Sequence, residues 1–194
     1  MQVSEPAEYI ILGLLKQHAM HGYEMYQYIT HGALHHILHL EMSQMYAYLK
    51  KLEKLEYIET RLESQGARPP RKVHYLTTRG EESFMHWLVA PVEKPRDIRI
   101  LFLIKLYFIR QLLPHDARAL LDQQVIACER FLNHMELLHN EQLHDGPREM
   151  ENTSTSDDEL FFDHIVLRSR IHQTRALLDW LRELQTSNVV EGKH

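Results

Sequence analysis

The sequence predicts a mainly α chain in two parts, a small helical unit that closes on a basic β-hairpin and a long all-helical half. Three observations carry that expectation. Apolar residues recur at helical spacing through three segments before residue 56 and through long segments after residue 97. Two short strand-like runs, YIETRLE and RKVHYLT, flank the proline-stiffened SQGARPP. A further helical pattern follows the second run directly. Helix, helix, helix, hairpin, helix is the order of a winged helix-turn-helix, with the two-stranded hairpin as the wing.

Composition bounds the rest. With 194 residues and 44% hydrophobic content the chain can build one sizeable domain or two small ones. The single cysteine, Cys128, excludes a disulfide framework and a thiolate zinc cluster. The N-terminus carries no signal-peptide pattern, so the chain reads as cytoplasmic. The longest apolar run, IRILFLIKLYFIRQLL, is broken by Arg99, Lys105 and Arg110 and is too short to cross a bilayer, so no membrane partner is expected. Formal net charge is −5, yet residues 43–80 hold 8 basic and 4 acidic side chains. A compact positive patch on an acidic body suits phosphate binding by one element.

Taken in order, Ser4 can cap a first helix over residues 5–17, with Pro6 in its first turn and Tyr9, Ile10, Ile11, Leu12, Leu14 and Leu15 as a broad apolar face. His21 and Gly22 read as a turn, and a short helix follows from Gly22 to about Thr30. HGALHHILHLE shows no clear period. The third helix, residues 43–55, opens at Ser43. At about 100° per residue, Met45, Tyr48, Leu49 and Leu52 share one side. Ser43, Ala47, Lys50 and Lys54 share the other, with Tyr46 and Lys51 at its edges. Such an outer face can lie in a major groove, where lysines meet phosphates and polar tips reach bases. It equally suits an ordinary amphipathic helix with solvated lysines. The hairpin pairs residues 57–63 with 71–76. Pro69 and Pro70 stiffen its tip, and Arg68, Arg71 and Lys72 project around it, giving a wing over residues 64–72 whose cations would meet phosphates or enter the minor groove. A fourth helix runs from Thr77 or Thr78 to about Ala90. Residues 1–90 are thus expected to bind DNA, and residues 91–194 to form a second domain.

The stretches EYIILGLLKQHAMHGYEM, SQMYAYLKKLEKLEYIE and RPPRKVHYLTTRG, in that order and spacing, resemble the PadR-type transcriptional regulators over most of residues 8–80. RDIRILFLIKLYFIRQLLPHDARALLDQQ is similar to the C-terminal domain of the subfamily with long tails. The resemblance implies that Gln44 and Tyr46 contact the major groove, that Ser43 caps the recognition helix, and that Lys50 and Lys51 meet phosphates. It gives Arg68, Arg71 and Lys72 to the wing. It also implies that His21, Gly22 and Tyr23 bring the second helix's N-terminus against the DNA backbone, although His21 and Gly22 equally suit a plain turn. Ala47 stands where many members have proline. That leaves the helix start less rigid, and base preferences do not transfer directly.

In the second half, 12 of the 16 residues from 98 to 113 are apolar, almost all round a helix that should be covered on most sides. Pro114 ends it. A long amphipathic helix over about 115–143 follows, then a polar break over 140–159 and a final helix over about 158–186. Three such helices argue for homodimerisation, and a symmetric dimer would place two recognition helices on a palindromic site. Because relatives that the chain resembles respond to phenolic acids, Trp87, Phe102, Tyr107 and Phe108 are candidates for a pocket between the domains that takes a small aromatic effector. Core packing is the other reading of the same four rings. His31, His35 and His39, spaced i, i+4, i+8, could bind a divalent transition metal if helical, but Gly32 and the lack of cysteine nearby speak against it. No metal or cofactor is expected.

No G-x-S-x-G, P-loop, dinucleotide fingerprint or H-E-x-x-H occurs, so an enzyme is not expected. The expected function is that of a dimeric DNA-binding transcriptional regulator, by default a repressor relieved by a small aromatic ligand. The alternatives are a winged-helix module that binds protein and a ligand-independent activator.

Overall fold

The computed structural model describes residues 4–65, 68–144 and 157–187. Their elements run α1 (Pro6–Gln17), β1 (Met20–His21), α2 (Gly22–His31), α3 (Met42–Lys54), β2 (Ile58–Gln65), β3 (Arg68–Leu76), α4 (Thr78–Val89), α5 (Pro95–Leu112), α6 (Ala117–His144) and α7 (Asp157–Thr186). Short 3-10 turns at Ala33–His36 and Pro114–Asp116 join α2 to α3 and α5 to α6. The fold class is the expected one, mainly helical with a winged helix-turn-helix.

The hairpin has the predicted register, with Ile58 opposite Leu76 and Glu63 opposite Arg71, and an irregularity between Glu63 and Gln65. A third strand was not foreseen. Met20 and His21 pair antiparallel with His74 and Val73, so the sheet order is β1-β3-β2 and the start of α2 is fastened to the wing. Residues 66 and 67 at the tip and the side chains of Gln65, Arg68 and Pro69 lie outside the described residues.

Packing groups Met1–Ala90 with Asp97–Ala117, and Pro91–Arg96 with Arg118–His194. Thus α5 packs with the winged-helix residues, whereas the sequence reading begins its second domain at residue 91. In the first unit, Ile10, Ile11 and Leu14 of α1, Met25 and Ile29 of α2, Met45 and Leu52 of α3, Phe84 of α4 and Phe102 and Phe108 of α5 are all completely buried. The Phe108 ring lies on Gly13, where a Cβ would come within 2.5 Å of it. Only glycine lets α5 approach α1 so closely.

Two buried charges are built into this unit. Glu8, with no exposed surface, accepts from the backbone N–H groups of Ser4 (3.0 Å) and Glu5 (3.2 Å) and pairs with Lys51 Nζ at 2.5 Å. Capping of α1 therefore centres on Glu5 and Glu8, and Ser4 contributes its N–H where the sequence reading gave it the cap. Lys105 of α5, 2% exposed, donates to the Trp87 carbonyl and sits 3.7 Å from the Trp87 ring centroid. Burial lowers its pKa to about 7.

In the second unit α6 and α7 share a core through Met135, Leu167 and Ile171, with Phe131 and Leu132 against it. Ion pairs Glu136–Arg175 (2.6 Å) and Glu129–Arg182 (2.8 Å) tie the two helices in antiparallel register. Gln124 is fully buried and clasps Val92, accepting from its N–H and donating to its carbonyl, both at 2.7 Å. Of the predicted polar break, residues 145–156 lie outside the described residues. No described helix is long and apolar enough to cross a membrane.

Candidate nucleic-acid interface

The third helix turns its apolar residues inward as its periodicity requires. Met45, Leu49 and Leu52 are buried, while Ser43, Gln44, Tyr46, Ala47, Lys50 and Lys54 are exposed. Its start differs from the expected one. The N-cap is Glu41, and Gln44 Oε1 accepts from the Glu41 backbone N–H at 3.0 Å. Ser43 therefore lies inside the first turn and does not cap the helix, because a residue pair three apart, Glu41 and Gln44, closes a capping box that starts two residues earlier. The Gln44 carbonyl oxygen is thus engaged in the cap.

Lys51 also departs from its expected part as a phosphate ligand. Its ammonium is committed to the buried carboxylate of Glu8, so it holds α3 to α1. The basic cluster sorts further on the same principle. Arg61 pairs with Glu59 and lies over the Tyr75 ring, and Arg79 pairs with Glu56 at 3.1 Å. Among the described residues, Lys50, Lys54, Arg71 and Lys72 make no ion pair. The local excess of positive charge seen in the sequence is thereby concentrated on α3 and the wing.

These elements enclose a cleft of about 710 Å³ lined by His21, Gly22, Tyr23, Tyr46, Leu49, Lys50, Glu53, Thr60, Arg71, Lys72 and His74. The fold brings together the outer face of α3, the base of the wing and the N-terminus of α2. Gly22 is what lets the first and last of these meet: a Cβ there would lie 2.9 Å from Tyr46 Cε1 and 3.1 Å from Leu49 Cδ1. The Tyr46 side chain, 49% exposed, crosses the start of α2 on its way to solvent. His21 is more than a turn residue. It caps α2, its Nδ1 accepting from the Glu24 N–H at 3.0 Å, and its Nε2 lies 3.3 Å from Arg71 Nη1.

Thr60 and His74 escaped the sequence reading. His74 is 7% exposed, its Nδ1 is 3.0 Å from Thr60 Oγ1, and burial, opposed by Glu53 and aided by Lys72, lowers its pKa. The ring is therefore neutral near pH 7 and adds no charge to the cleft. Strand alternation places Thr60 and His74 on one face, but only the pairing of Met20 with His74 shows that this face meets α2.

The remaining candidates are engaged otherwise. Trp87 stacks on Tyr9 with ring centroids 3.9 Å apart. Phe108 meets Phe84 edge-on at 5.6 Å and Tyr107 at 5.0 Å, and Phe102 has no exposed surface. In this structure all four rings sit in packing contacts. His31 ends α2, with its Nδ1 3.1 Å from the Gln27 carbonyl, His35 lies in the 3-10 turn, and His39 pairs with Glu41 at 3.0 Å. The helical row that would align the three is not formed, and no group of three or more potential metal ligands occurs among the described residues.

Comparison with known proteins agrees with this architecture. Residues 11–86 match the Transcriptional regulator PadR-like family, and residues 98–186 match the Virulence activator alpha C-term family. The chain is 27% identical over 177 residues to the Negative transcriptional regulator PadR of Bacillus subtilis, covering 91% of this chain and 94% of that protein. It is similar to the crystal structure of Bacillus subtilis PadR in complex with operator DNA, at 25% identity and a TM-score of 0.43, over 92% of this chain and 95% of the other. It is also similar to the structure of Bacillus subtilis PadR in complex with p-coumaric acid, at 23% identity and a TM-score of 0.40, over 98% and 100%.

Proposed function

We propose that the chain is a PadR-like transcriptional regulator, a cytoplasmic homodimeric repressor that binds a palindromic operator through the cleft between α3 and the wing. One observation carries the reading. Three cations without a carboxylate partner among the described residues, Lys50, Arg71 and Lys72, converge with Tyr46 on that cleft. The exposed α3 face would enter the major groove, with Tyr46 and the Gln44 amide toward base edges. Lys50, Lys54, Arg71, Lys72 and Arg68 would meet backbone phosphates, which supply affinity and register and little sequence information.

Repression is supported by the relative named a negative transcriptional regulator. Dimerisation is supported by large apolar side chains left in solvent on α6 and α7: Leu137 is 61% exposed, Phe161 66%, Phe162 64% and Ile165 46%. The proposal includes a small aromatic effector, for which the support is the buried Lys105 ammonium beside Trp87, whose ring packs with those of Tyr9 and Phe84. Calorimetry with a panel of aromatic acids that leaves the DNA complex undiminished in every case contradicts that part.

The match of residues 98–186 to a family named for a virulence activator favours a second reading, a ligand-independent activator. Selection of genomic duplexes by the purified protein, followed by a reporter driven from the enriched promoter, separates the two. A palindromic site with expression rising on deletion of the gene supports the repressor, and expression falling supports the activator. No enrichment over random DNA contradicts both.

A further inference from the structure

Two demands meet on the imidazole of His21, and the way they are met leaves room for an anion. The ring caps α2, with the backbone N–H of Glu24 3.0 Å from Nδ1. An amide can only donate, so Nδ1 is the unprotonated nitrogen and the proton of the neutral ring is on Nε2. Nε2 in turn lies 3.3 Å from Arg71 Nη1, and a guanidinium offers donors alone. Two donors therefore face each other where α2 meets β3. The Glu24 carboxylate, 3.7 Å from Nε2, is beyond hydrogen-bond reach. Both side chains line the cleft that Lys50 and Lys72 share. A group that accepts from both comes from outside the chain, and Lys50, Arg71 and Lys72 outweigh the carboxylates of Glu53 and Glu24 there, which leaves the cleft positive and selects an anion.

Resting on the DNA-binding reading above, we infer that His21 Nε2–H and Arg71 Nη1 together hold one oxygen of a DNA backbone phosphate, with the capping bond at Nδ1 fixing the tautomer that makes Nε2 a donor. His21 then has two separable functions on one ring, capping through Nδ1 and phosphate binding through Nε2. With Nδ1 accepting from the Glu24 N–H, the contact is made by an uncharged donor and adds affinity without releasing a further counterion. His21 therefore contributes nothing to the salt slope, whereas Arg71 contributes about 0.9 of a unit.

Two substitutions separate the functions. His21→Asn keeps an acceptor near Nδ1, asparagine being a strong N-cap, and removes the donor at Nε2. His21→Gln carries an amide N–H out to the Nε2 position and gives up the cap. The probe is a mixed-sequence duplex at about 50 mM salt, where phosphate contacts dominate, read by fluorescence anisotropy beside thermal melting of the protein. H21N is expected to melt with the wild type and bind roughly tenfold more weakly with an unchanged salt slope. H21Q is expected to recover most of that loss and to melt roughly a few degrees lower. Wild-type affinity in H21N, or H21Q as weak as H21N, overturns the phosphate contact. Unfolding of H21N at room temperature overturns the capping half. A wild-type chain that fails to bind the duplex overturns the DNA-binding reading itself, a result distinct from the others.

Discussion

Lys50 and Lys51 are adjacent, and they do different things. The helical period puts both near the outer face of α3, but Lys51 reaches the fully buried Glu8 while Lys50 stays in solvent. Nothing local in the sequence distinguishes them, because the partner is on α1. Glu8→Gln removes the charge that Lys51 compensates and is expected to cost about 2–3 kcal/mol in urea unfolding, whereas Lys54→Ala should cost less than about 0.5 kcal/mol. Equal costs would mean that the Glu8 pair does not hold α1 to α3. Lys105 gives a prediction in pH. Its pKa falls from the ordinary 10.5 to about 7 by burial, so between those values the unfolded chain binds the extra proton and stability rises with pH. Lys105→Met should flatten that rise and increase stability near pH 7, as followed by denaturant midpoints at stepped pH. A persisting rise would assign it to another group.

At the scale of elements, the hairpin was the most legible part of the chain, since two alternating runs joined by prolines admit few other structures. The two-residue strand β1 was not legible, because two residues have no period. It nevertheless decides the site by fastening the His21 cap to the wing. Helix α5 was legible as a helix and as covered, but its hydrophobicity does not say by what. Its dependence on Gly13 predicts that Gly13→Val costs about 2–3 kcal/mol through overpacking against Phe108. A fragment ending at residue 117 should unfold cooperatively, while one ending at residue 90, deprived of Phe102 and Phe108, should bind a hydrophobic dye. Cooperative unfolding of the shorter fragment would show that α5 is dispensable to the unit. At the interface, Gly22→Ala displaces the Tyr46 ring and should alter sequence preference in a selection experiment while leaving the salt slope intact.

For the molecule as a whole, the relevant contrast is between a net charge of −5 and a cleft whose cations lack carboxylate partners. The positive stretch was visible in the sequence as a count. Which of its members were available was not, since Glu8, Glu56 and Glu59 each take one of them. The exposed apolar side chains of α6 and α7 predict assembly: Phe161→Asp with Phe162→Asp should shift sedimentation toward the monomer and weaken binding to a palindromic duplex more than to a single half-site. An unchanged dimer would place the interface elsewhere.

The most direct measurement is the anisotropy titration of the selected duplex across salt concentrations, for the wild-type chain and for Arg71→Ala with Lys72→Ala. If the cleft binds backbone phosphate, wild-type affinity falls steeply with salt, and the double variant binds more weakly to all sequences alike with a slope shallower by about 1.8 units. A double variant with wild-type affinity and slope would contradict the assignment of the cleft to DNA.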